Sequence, residues 1–580
     1  MSALTRLSEY LRRHAVFLVV GVVVMTIPAY LGDTYYLSIL AFMATRLMMA
    51  LGLSLLLGQA GQISLGQAAF VGIGAYGAAI LTTKVGLDPW SSMILAAFIS
   101  AAIAGLVGMP TLRLSGYYLA MATLGVNEIV YILLVQLKSL TNGTDGITGI
   151  PTLSVGGLDL GGPKAYHLLA WGLALLMLRF SSNLTRGRVG RSLRALHRSE
   201  TAAQSLGVNT SYRKVQVFVL AAVFASIAGS LDAYYMRYQP RELQRHLLGH
   251  PYHRGDSWRP KDSVGGPVGD RSHRSAAGAP KASQRRPDQP GLRAASHLHH
   301  GLLAWAQQAY DRRGAGAGRQ GLEAAVALLR VERLSKRFGG LEALREVTFS
   351  VHRGQIKALI GPNGAGKTTL FNLVSGYSRP SGGRVHFNGE DVTGRAPYRM
   401  CRMGLGRTFQ HSLVFEDMSV LENVAVGRYS RTKAGLLAAA LNLPLHRREE
   451  RETVKAALEA LHRVGLDHRA KEVAGNLPMG ERHLLEIARA LASEPQLLLL
   501  DEPAAGLNEA ETSRLAEAVR RVRDEGVTIL LVEHDMTFVM DISDEVVVLD
   551  YGRKIAEGPP YMIQENEEVI NAYLGEELET

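Results

Sequence analysis

The first 240 residues are dominated by apolar runs of nearly the length of a membrane-spanning helix. A helix needs roughly 17–25 apolar residues to cross the hydrocarbon core of a bilayer. About seven such runs occur, at about 15–31, 35–57, 66–82, 91–112, 117–137, 165–180 and 214–236. Buried helices of a soluble domain would show polar faces at helical period, which 18–24 and most of 93–107 lack. The pattern predicts a multi-span α-helical membrane domain over residues 1–240.

The charges between the runs predict an orientation. The segment between the sixth and seventh runs has Glu200 as its single acid, whereas residues 141–164 carry few charges. Its basic residues are Arg186, Arg188, Arg191, Arg194, Arg198, Arg213 and Lys214. Basic loops stay in the cytoplasm, so this segment is predicted there and 141–164 outside. Arg6, Arg12 and Arg13 precede a run without a clear cleavage site, which favours a membrane anchor with a cytoplasmic N-terminus over a signal peptide.

Three features of this part go beyond generic spans. Glycines and amides interrupt apolar sequence at 58–67, which is typical either of a broken helix on a substrate path or of close packing through small residues. Arg46 and Glu128 lie within or at the edge of runs, where a charge is costly and indicates a pathway, a pairing or an interface position. Residues 187–207 show a partial apolar face among arginines, which suits a membrane-surface helix or a helix that docks on a neighbouring domain.

The composition changes abruptly after Pro240. Arg, His, Gly, Pro and Ser dominate residues 241–325, and seven of the 18 histidines fall between His246 and His300. Taken at face value, this is a polar, basic linker of atypical length. Seven spans from a cytoplasmic N-terminus end outside, so an odd number of further spans is needed before residue 326 if the last 255 residues are cytoplasmic. A reading-frame slip through the end of the membrane domain would explain both observations.

The last 255 residues predict a nucleotide-binding α/β domain. The apolar run 356–360 reads as a strand and 370–374 as the start of a helix. Between them lies the loop Gly361-Pro362-Asn363-Gly364-Ala365-Gly366-Lys367-Thr368-Thr369. Such a loop turns backbone N–H groups toward a phosphate, and the helix N-terminus adds about half a positive charge. In this P-loop pattern Lys367 reaches the β- and γ-phosphates, and the Thr368 hydroxyl binds Mg²⁺.

Further candidate residues occur in the order that ATP hydrolysis requires. A buried strand at 497–500 leads into Asp501, a predicted Mg²⁺ ligand, and Glu502, which is placed to polarise the attacking water. His534 comes after another apolar run and is predicted to sense the γ-phosphate. Gln410 offers an amide to Mg²⁺ or to the attacking water. Phe338 precedes the P-loop and is predicted to stack its ring on adenine.

Overall composition excludes some classes of function. The net charge is +11, but the basic residues lie in membrane-flanking loops and in 241–325, so nucleic-acid binding is not indicated. The single cysteine, Cys401, excludes a disulfide framework within the chain.

As a set, these motifs resemble the ATP-binding-cassette (ABC) family. The resemblance identifies 477–483 as the signature loop. In the family two cassettes pair head to tail, so Gly480 would contact the nucleotide of a partner cassette. Two positions depart from the usual signature, because Pro478 replaces a serine and Glu481 a glutamine.

The resemblance narrows to the importers of branched-chain amino acids. The cassette, over 326–580, is similar to their ATPases through 337–341, 407–411, 485–491, 501–508 and 572–575. Residues 1–240 are similar to their second permease subunit through 50–53, 61–66, 74–76, 112–120 and 187–207. The chain therefore looks like a permease–ATPase fusion, in which a multi-span α-helical membrane domain precedes an α/β P-loop NTPase domain.

This resemblance implies ATP-driven import across the bacterial cytoplasmic membrane, with the ATPase domain in the cytoplasm. The implied cofactors are ATP and Mg²⁺. The implied partners are a second permease subunit, a second ABC ATPase subunit or a second copy of this chain, a periplasmic substrate-binding protein and membrane lipid. Three alternatives stay open: import of urea or short amides by a member of the same family, export, and a transport-defective product that only binds and hydrolyses ATP. A soluble cassette of translation or repair is excluded by the apolar first half.

Overall fold

The computed structural model of the protein describes residues 21, 23–26, 34–236, 327–410 and 413–577. The predicted first span, 15–31, lies largely outside these residues, and the predicted polar linker, 241–325, lies wholly outside them. Among the described residues, five helices are long and apolar enough to cross a membrane, and the 17-residue helix Gln67–Thr83 is a shorter apolar one.

The N-terminal part is helical, as the apolar pattern predicts. Its helices are α1 (Thr34–Leu53), a π-helix (Ser54–Gln59), α2 (Gln67–Thr83), α3 (Pro89–Thr111), α4 (Tyr117–Gln136), α5 (Lys138–Thr141), a 3₁₀ turn (Gly143–Asp145), α6 (Pro163–Arg186), α7 (Arg188–Arg198), α8 (Glu200–Ser205) and α9 (Thr210–Met236). A small hairpin, β1 (Ser154–Val155) with β2 (Leu158–Asp159), lies before α6. The predicted seventh run begins four residues late and the sixth ends six residues early, because the charged ends of these helices lack the apolar signal.

Helix α9 is the centre of this bundle and packs against α1, α2 and α3. Small residues let α2 and α9 approach closely. A Cβ atom at Gly74 would lie 2.2 Å from the Ser226 carbonyl oxygen, and one at Gly229 would lie 2.1 Å from that of Val71. Close small-residue packing therefore begins just after the interrupted segment 58–67.

The interrupted segment is also a break in the helix. The π-helix ends at Gln59, and residues 61–66 are irregular until α2 begins. Gly61 has φ +64°, and a Cβ there would lie 2.3 Å from the His197 ring, so glycine is favoured at this bend. The structure thus shows a break at 58–66 and close small-residue packing beyond it, and a substrate path at the break stays a prediction.

The cassette is built from two sheets and surrounding helices. The first four strands are β3 (Ala327–Phe338), β4 (Leu341–His352), β5 (Ile356–Ile360) and β6 (Gly382–Phe387), with α10 (Lys367–Val374) after β5. Next come β7 (Glu390–Asp391), α11 (Pro397–Met403), β8 (Leu405–Arg407), α12 (Val420–Gly427), α13 (Leu436–Ala440), α14 (Pro444–Arg463) and α15 (Met479–Leu491), with 3₁₀ turns at Arg428–Arg431, Asp467–Arg469 and Ala474–Asn476. The last elements are β9 (Leu497–Asp501), α16 (Glu509–Asp524), β10 (Thr528–Val532), α17 (Met536–Ile542), β11 (Glu545–Asp550), β12 (Arg553–Gly558), α18 (Pro560–Gln564) and α19 (Glu567–Glu577).

The six-stranded sheet positions the candidate site residues. Its order is β12-β11-β5-β10-β9-β8, and all neighbours are parallel except β12 with β11. Strands β5, β9 and β10 are buried along their whole length, which is why they read as continuous apolar runs. Their carboxyl ends lead into the P-loop, Glu502 and Glu533, so the candidate residues meet at one edge. The four-stranded sheet, β4-β3-β6-β7, is antiparallel.

Candidate nucleotide site and its contact with the membrane helices

A cavity of about 530 Å³ opens over the loop between β5 and α10. It is lined by eleven of the predicted site residues, namely Phe338, Asn363, Gly364, Ala365, Gly366, Lys367, Thr368, Thr369, Gln410, Glu502 and His534. Other described residues in its wall are Leu341, Glu342, Ala343, Arg345 and Tyr551. Of the remaining predicted residues, Gly361 and Pro362 begin the loop, Asp501 lies buried behind Glu502, and Gly480 lies outside this cavity.

Glycines shape the loop around this cavity. Gly361 has φ +150° and Gly366 has φ +96°, conformations that other residues rarely adopt. A Cβ at Gly361 would lie 2.1 Å from the Leu549 carbonyl oxygen, and one at Gly366 would lie 2.7 Å from that of Ala343. The loop is therefore held against both sheets. The first residues of α10 line the cavity, where an anion would meet the N-terminus of the helix.

The Lys367 ammonium lies inside the loop that it would serve. Its Nζ donates hydrogen bonds to the carbonyl oxygens of Gly361, at 2.6 Å, and Pro362, at 2.9 Å. The side chain is 6% exposed, so the charge is largely shielded from water. A buried ammonium at the base of this loop fits a ligand that carries several negative charges.

Two polar side chains from different loops meet at the carboxylate of Glu502. Glu502 accepts a hydrogen bond from the Gln410 amide nitrogen at 2.9 Å and contacts His534 Nε2 at 2.9 Å. Its backbone φ is +48°, an uncommon conformation for a residue with a side chain. Such local strain persists only where the surroundings impose it, and it is frequent at active sites. The structure thus brings together the three residues predicted to be catalytic.

Asp501 is paired with an arginine whose role the sequence did not reveal. Arg407 Nη2 donates to Asp501 Oδ2 at 3.0 Å, and its Nη1 donates to Asn372 Oδ1 at 2.8 Å. Asp501 Oδ1 is buried and has no hydrogen-bond partner among the described residues. Burial raises the pKa of Asp501, and the nearby guanidinium opposes that rise. One carboxylate oxygen is therefore committed to the protein, and the other is left for a cation or a water.

Glu533 is a second residue that sequence reasoning missed. It is 3% exposed, accepts from the Ala504 backbone N–H at 2.6 Å and accepts from that of His534 at 3.0 Å. It thereby ties the turn after Glu502 to the loop that carries His534. The available signal was its position between a buried strand and the predicted histidine.

The signature helix begins earlier than predicted. The sequence predicts a loop at 477–483, but α15 starts at Met479, with Pro478 as its N-cap residue. Proline is tolerated there because the first N–H groups of a helix lack intrahelical partners. Gly480 is buried beside Glu511, whose Oε1 would lie 2.8 Å from an added Cβ, and Glu481 pairs with Arg469 at 2.9 Å.

A buried ion pair joins the signature helix to the chain beyond Gln410. Glu486 Oε1 accepts from the Leu413 backbone N–H at 2.7 Å, and Arg489 Nη1 donates to the Leu413 carbonyl oxygen at 2.7 Å. The two side chains contact each other at 3.2 Å, and each residue is 2% exposed. Burial raises the pKa of Glu486 to about 7. Both backbone groups of Leu413 are thus fixed by α15.

The basic segment between α6 and α9 docks on the cassette. Glu450 of α14 accepts from the Arg188 backbone N–H at 2.7 Å and from both Arg191 Nη groups at 2.9 and 3.0 Å. Arg194 pairs with Glu422 at 2.7 Å, and Arg198 pairs with Asp417. Of the two interpretations of 187–207, docking on a neighbouring domain is the one that these contacts show.

Apolar contacts complete this junction. Ala195, Leu196, Ala202, Ala203, Leu206 and Val208 form one buried cluster with Phe415, Met418, Val426 and Tyr429. Phe409, next to the candidate residue Gln410, packs against the same cluster. The nucleotide cavity and the membrane helices are therefore joined through residues 409–410 and 413–418.

Comparison with known proteins agrees with this architecture. The family described as the branched-chain amino acid transport system / permease component matches residues 35–247. The ABC transporter family matches 344–505, and the branched-chain amino acid ATP-binding cassette transporter family matches 553–579.

Individual relatives match the cassette. The chain is 43% identical over 250 residues to the high-affinity branched-chain amino acid transport ATP-binding protein BraF of Pseudomonas aeruginosa, covering 43% of this chain and 98% of the relative. It is 44% identical to LivG of Escherichia coli K12 over the same shares. Among solved structures, the ADP conformation of the cassette MJ1267 is 33% identical over 43% of this chain and 99% of that one, with a TM-score of 0.39. The chain belongs to the branched-chain amino acid ABC transporter family and joins a permease component and an ATP-hydrolysing cassette in one polypeptide.

Proposed function

We propose that this protein imports branched-chain amino acids across the bacterial cytoplasmic membrane at the expense of ATP. One observation carries the proposal: the helices α7 and α8, which connect two membrane-length helices, are seated on the cassette beside the segment that carries Gln410. A cassette that served only as a soluble ATPase would have no use for this junction. We assign 1–240 to the permease and 326–580 to the cassette.

The residues of the cavity suit MgATP. Mg²⁺ prefers oxygen ligands, and the Thr368 hydroxyl, the Gln410 amide oxygen and the unpartnered Asp501 Oδ1 supply three. The P-loop residues 361–369 hold the phosphates, and Phe338, 53% exposed in the cavity wall, offers its ring to the adenine. When bound, MgATP supplies the phosphoryl group whose hydrolysis drives the cycle.

Glu502 orients and polarises the attacking water. Its two contacts, from Gln410 and His534, fix the carboxylate on the cavity side of β9. His534 also lines the cavity, so its contact with Glu502 responds to the loss of the γ-phosphate. Lys367 neutralises the negative charge that develops on the phosphate oxygens.

Closure of the cassette reaches the membrane through contacts that are already in place. Movement of the segment after Gln410 displaces Phe415, which packs on α7 and α8. Arg191 and Glu450 hold the same helices to α14. The cassette therefore moves the ends of α6 and α9, which flank the docked helices.

The remaining assignments concern the assembly. Gly480 lies outside the chain's own cavity, which supports its role at the nucleotide of a second cassette, either another ABC subunit or a second copy of this chain. A second permease subunit and a periplasmic binding protein complete the transporter, and lipid surrounds the apolar helices. The cassette lies in the cytoplasm, because it binds the basic segment between two spans.

The side of the membrane on which α9 ends determines how many crossings the segment 241–325 must supply. Arg213, near the start of α9, donates to the Tyr429 hydroxyl of the cassette at 2.7 Å, whereas Tyr234, near its end, donates to the Pro89 carbonyl oxygen at 3.0 Å. Its 27 residues of helix span about 40 Å, so α9 ends on the membrane face opposite the cassette. With the cassette in the cytoplasm, a working permease needs an odd number of crossings before Ala327. The polar sequence of 241–325 does not offer them, so the import proposal goes together with the frame slip. Resequencing the DNA across codons 235–330 tests the frame slip: an apolar alternative frame supports it, and a polar one contradicts it.

Uptake measurements separate the import proposal from its alternatives. We expect cells that express the full chain with its partner subunits to accumulate labelled leucine, and Lys367→Ala to abolish accumulation. Excess unlabelled isoleucine should compete, whereas excess urea or acetamide should not. Competition by urea would assign the protein to the amide branch, and intact ATP binding without uptake would show a transport-defective product.

A further inference from the structure

Helix α4 differs from the other membrane-length helices in how little of it is covered. In its most apolar window 17% of the residues are buried, against 28–67% in the other four described spans. Its exposed side carries a carboxylate, Glu128, which is the twelfth of twenty residues. That position is about 17 Å along the helix, near the middle of the hydrocarbon core.

The Glu128 carboxylate has no ion-pair or hydrogen-bond partner among the described residues. The other acid within the described spans, Asp232, is 2% exposed and lies near Thr45 and Arg46. Glu128 is instead exposed, and neighbouring residues on the same side of the helix, Met121, Leu124 and Ile132, are also exposed. An ionised carboxylate facing lipid at this depth is costly, so such residues face a water-filled path or a partner.

Helix α3 shows what a lipid-facing surface looks like in the same protein. Its large exposed residues include Ile94, Phe98, Leu106 and Met109, and it contains no charged residue. On α4, by contrast, one turn before Glu128 lies Gly125, where an added Cβ would meet nothing within 4 Å. Exposure on α3 therefore fits lipid. On α4 the exposed surface is also largely apolar, but it carries the charge of Glu128 and has open space beside it at Gly125.

We propose that Glu128 lines the translocation path and that its carboxylate binds the α-ammonium group of the transported amino acid, while Met121, Leu124 and Ile132 contact its aliphatic side chain. This inference rests on the proposed function and narrows it. A carboxylate favours a substrate that carries a cationic amine, whereas urea and simple amides are neutral. The ammonium and the Glu128 carboxylate form a charge-assisted contact, so the charge of Glu128 is compensated while the substrate is bound.

Thiol labelling tests the aqueous position without relying on transport. Cys401 is the only cysteine of the chain and is 1% exposed, and burial raises its pKa to about 11, so background labelling is low. We expect Glu128→Cys in the assembled transporter to react with a water-soluble methanethiosulfonate reagent during ATP turnover, and leucine with its binding protein to slow that reaction. Phe98→Cys on α3 is the matched control and should stay unlabelled. Equal slow labelling of the two variants would overturn the proposal.

Uptake by charge variants tests recognition of the ammonium group. Glu128→Gln should lower leucine uptake about 10- to 100-fold, the effect of losing one charge-assisted contact, and Glu128→Asp should retain more activity. ATP hydrolysis without substrate and co-purification of the subunits should be unchanged. Equal leucine uptake by the Glu128→Gln variant and by the unmodified chain would refute this inference. It would leave the proposed function standing. Loss of subunit co-purification would also refute it, since Glu128 would then pair with a partner subunit.

Discussion

Glu450 anchors the membrane helices to the cassette, so replacing it is the sharpest test of the junction. The carboxylate accepts the Arg188 backbone N–H and two Arg191 N–H groups, at 2.7–3.0 Å. The Arg191 side chain is 8% exposed and that of Glu450 is 22% exposed. Glu450→Ala leaves a nearly buried guanidinium without a carboxylate, whereas Arg191→Ala leaves Glu450 with its Arg188 contact. We therefore expect Glu450→Ala to be the more damaging change.

The magnitude depends on the kind of contact. A hydrogen bond to a charged group contributes about 1.5–3 kcal/mol, and the two Arg191 bonds share one charge. The interaction energy between the two sites should therefore be about 1.5–3 kcal/mol, which corresponds to roughly a 10- to 150-fold change in the equilibrium that releases α7 from α14.

Hydrogen exchange of the α7 backbone amides in the full chain measures that release. We expect each single variant to lose protection in α7, and the double variant to be little worse than Glu450→Ala. Glu452→Ala is the control on the same helix, because its ion pair with Arg448 is exposed on both sides. If the losses of protection in the two single variants simply added in the double variant, Arg191 and Glu450 would not act as a pair and the reasoning would be refuted.

Three further predictions concern the site and the helix packing. Glu502→Gln should lower ATP hydrolysis by about 10²- to 10⁴-fold while ATP binding persists, because the water loses its base; equal loss of binding would contradict this role. The pKa of Glu486 is raised to about 7 in the folded state. Between about pH 4.5 and 7 the folded state therefore binds more protons than the unfolded state, and the free energy of unfolding falls as pH rises through that window. Glu486→Gln should remove that part of the pH dependence of thermal unfolding, and an unchanged slope would count against it. Gly74→Ala should reduce the yield of folded protein, since its Cβ would lie 2.2 Å from a carbonyl oxygen, whereas Gly105→Ala should be tolerated; equal yields would contradict the close packing of α2 and α9.

Elements with strong local signals were predictable from the sequence. The buried strands β5, β9 and β10 read as continuous apolar runs, and the glycine pattern of 361–366 predicted the turn before α10. The apolar runs predicted the membrane-length helices, but their charged ends fell outside the pattern.

Features that depend on contacts between distant segments were not predictable. The partner of Asp501 is Arg407, 94 residues away, and nothing local marks that pairing. The hydrogen bonds that Glu486 and Arg489 make with the Leu413 backbone are likewise tertiary contacts between distant segments. The same is true of the ion pair between Arg191 and Glu450. The start of α15 was misjudged because Pro478 and Gly480 read as a loop, although a proline at the N-cap and a glycine in the first turn are compatible with a helix.

Accumulation of leucine in proteoliposomes tests most directly whether this cassette powers import. The full chain is reconstituted with its partner subunits, with MgATP on the cassette side and leucine-loaded binding protein on the other. We expect leucine to accumulate in step with ATP hydrolysis, and Lys367→Ala to abolish both. ATP hydrolysis by the wild-type chain without any leucine accumulation would contradict the claim that this cassette powers import.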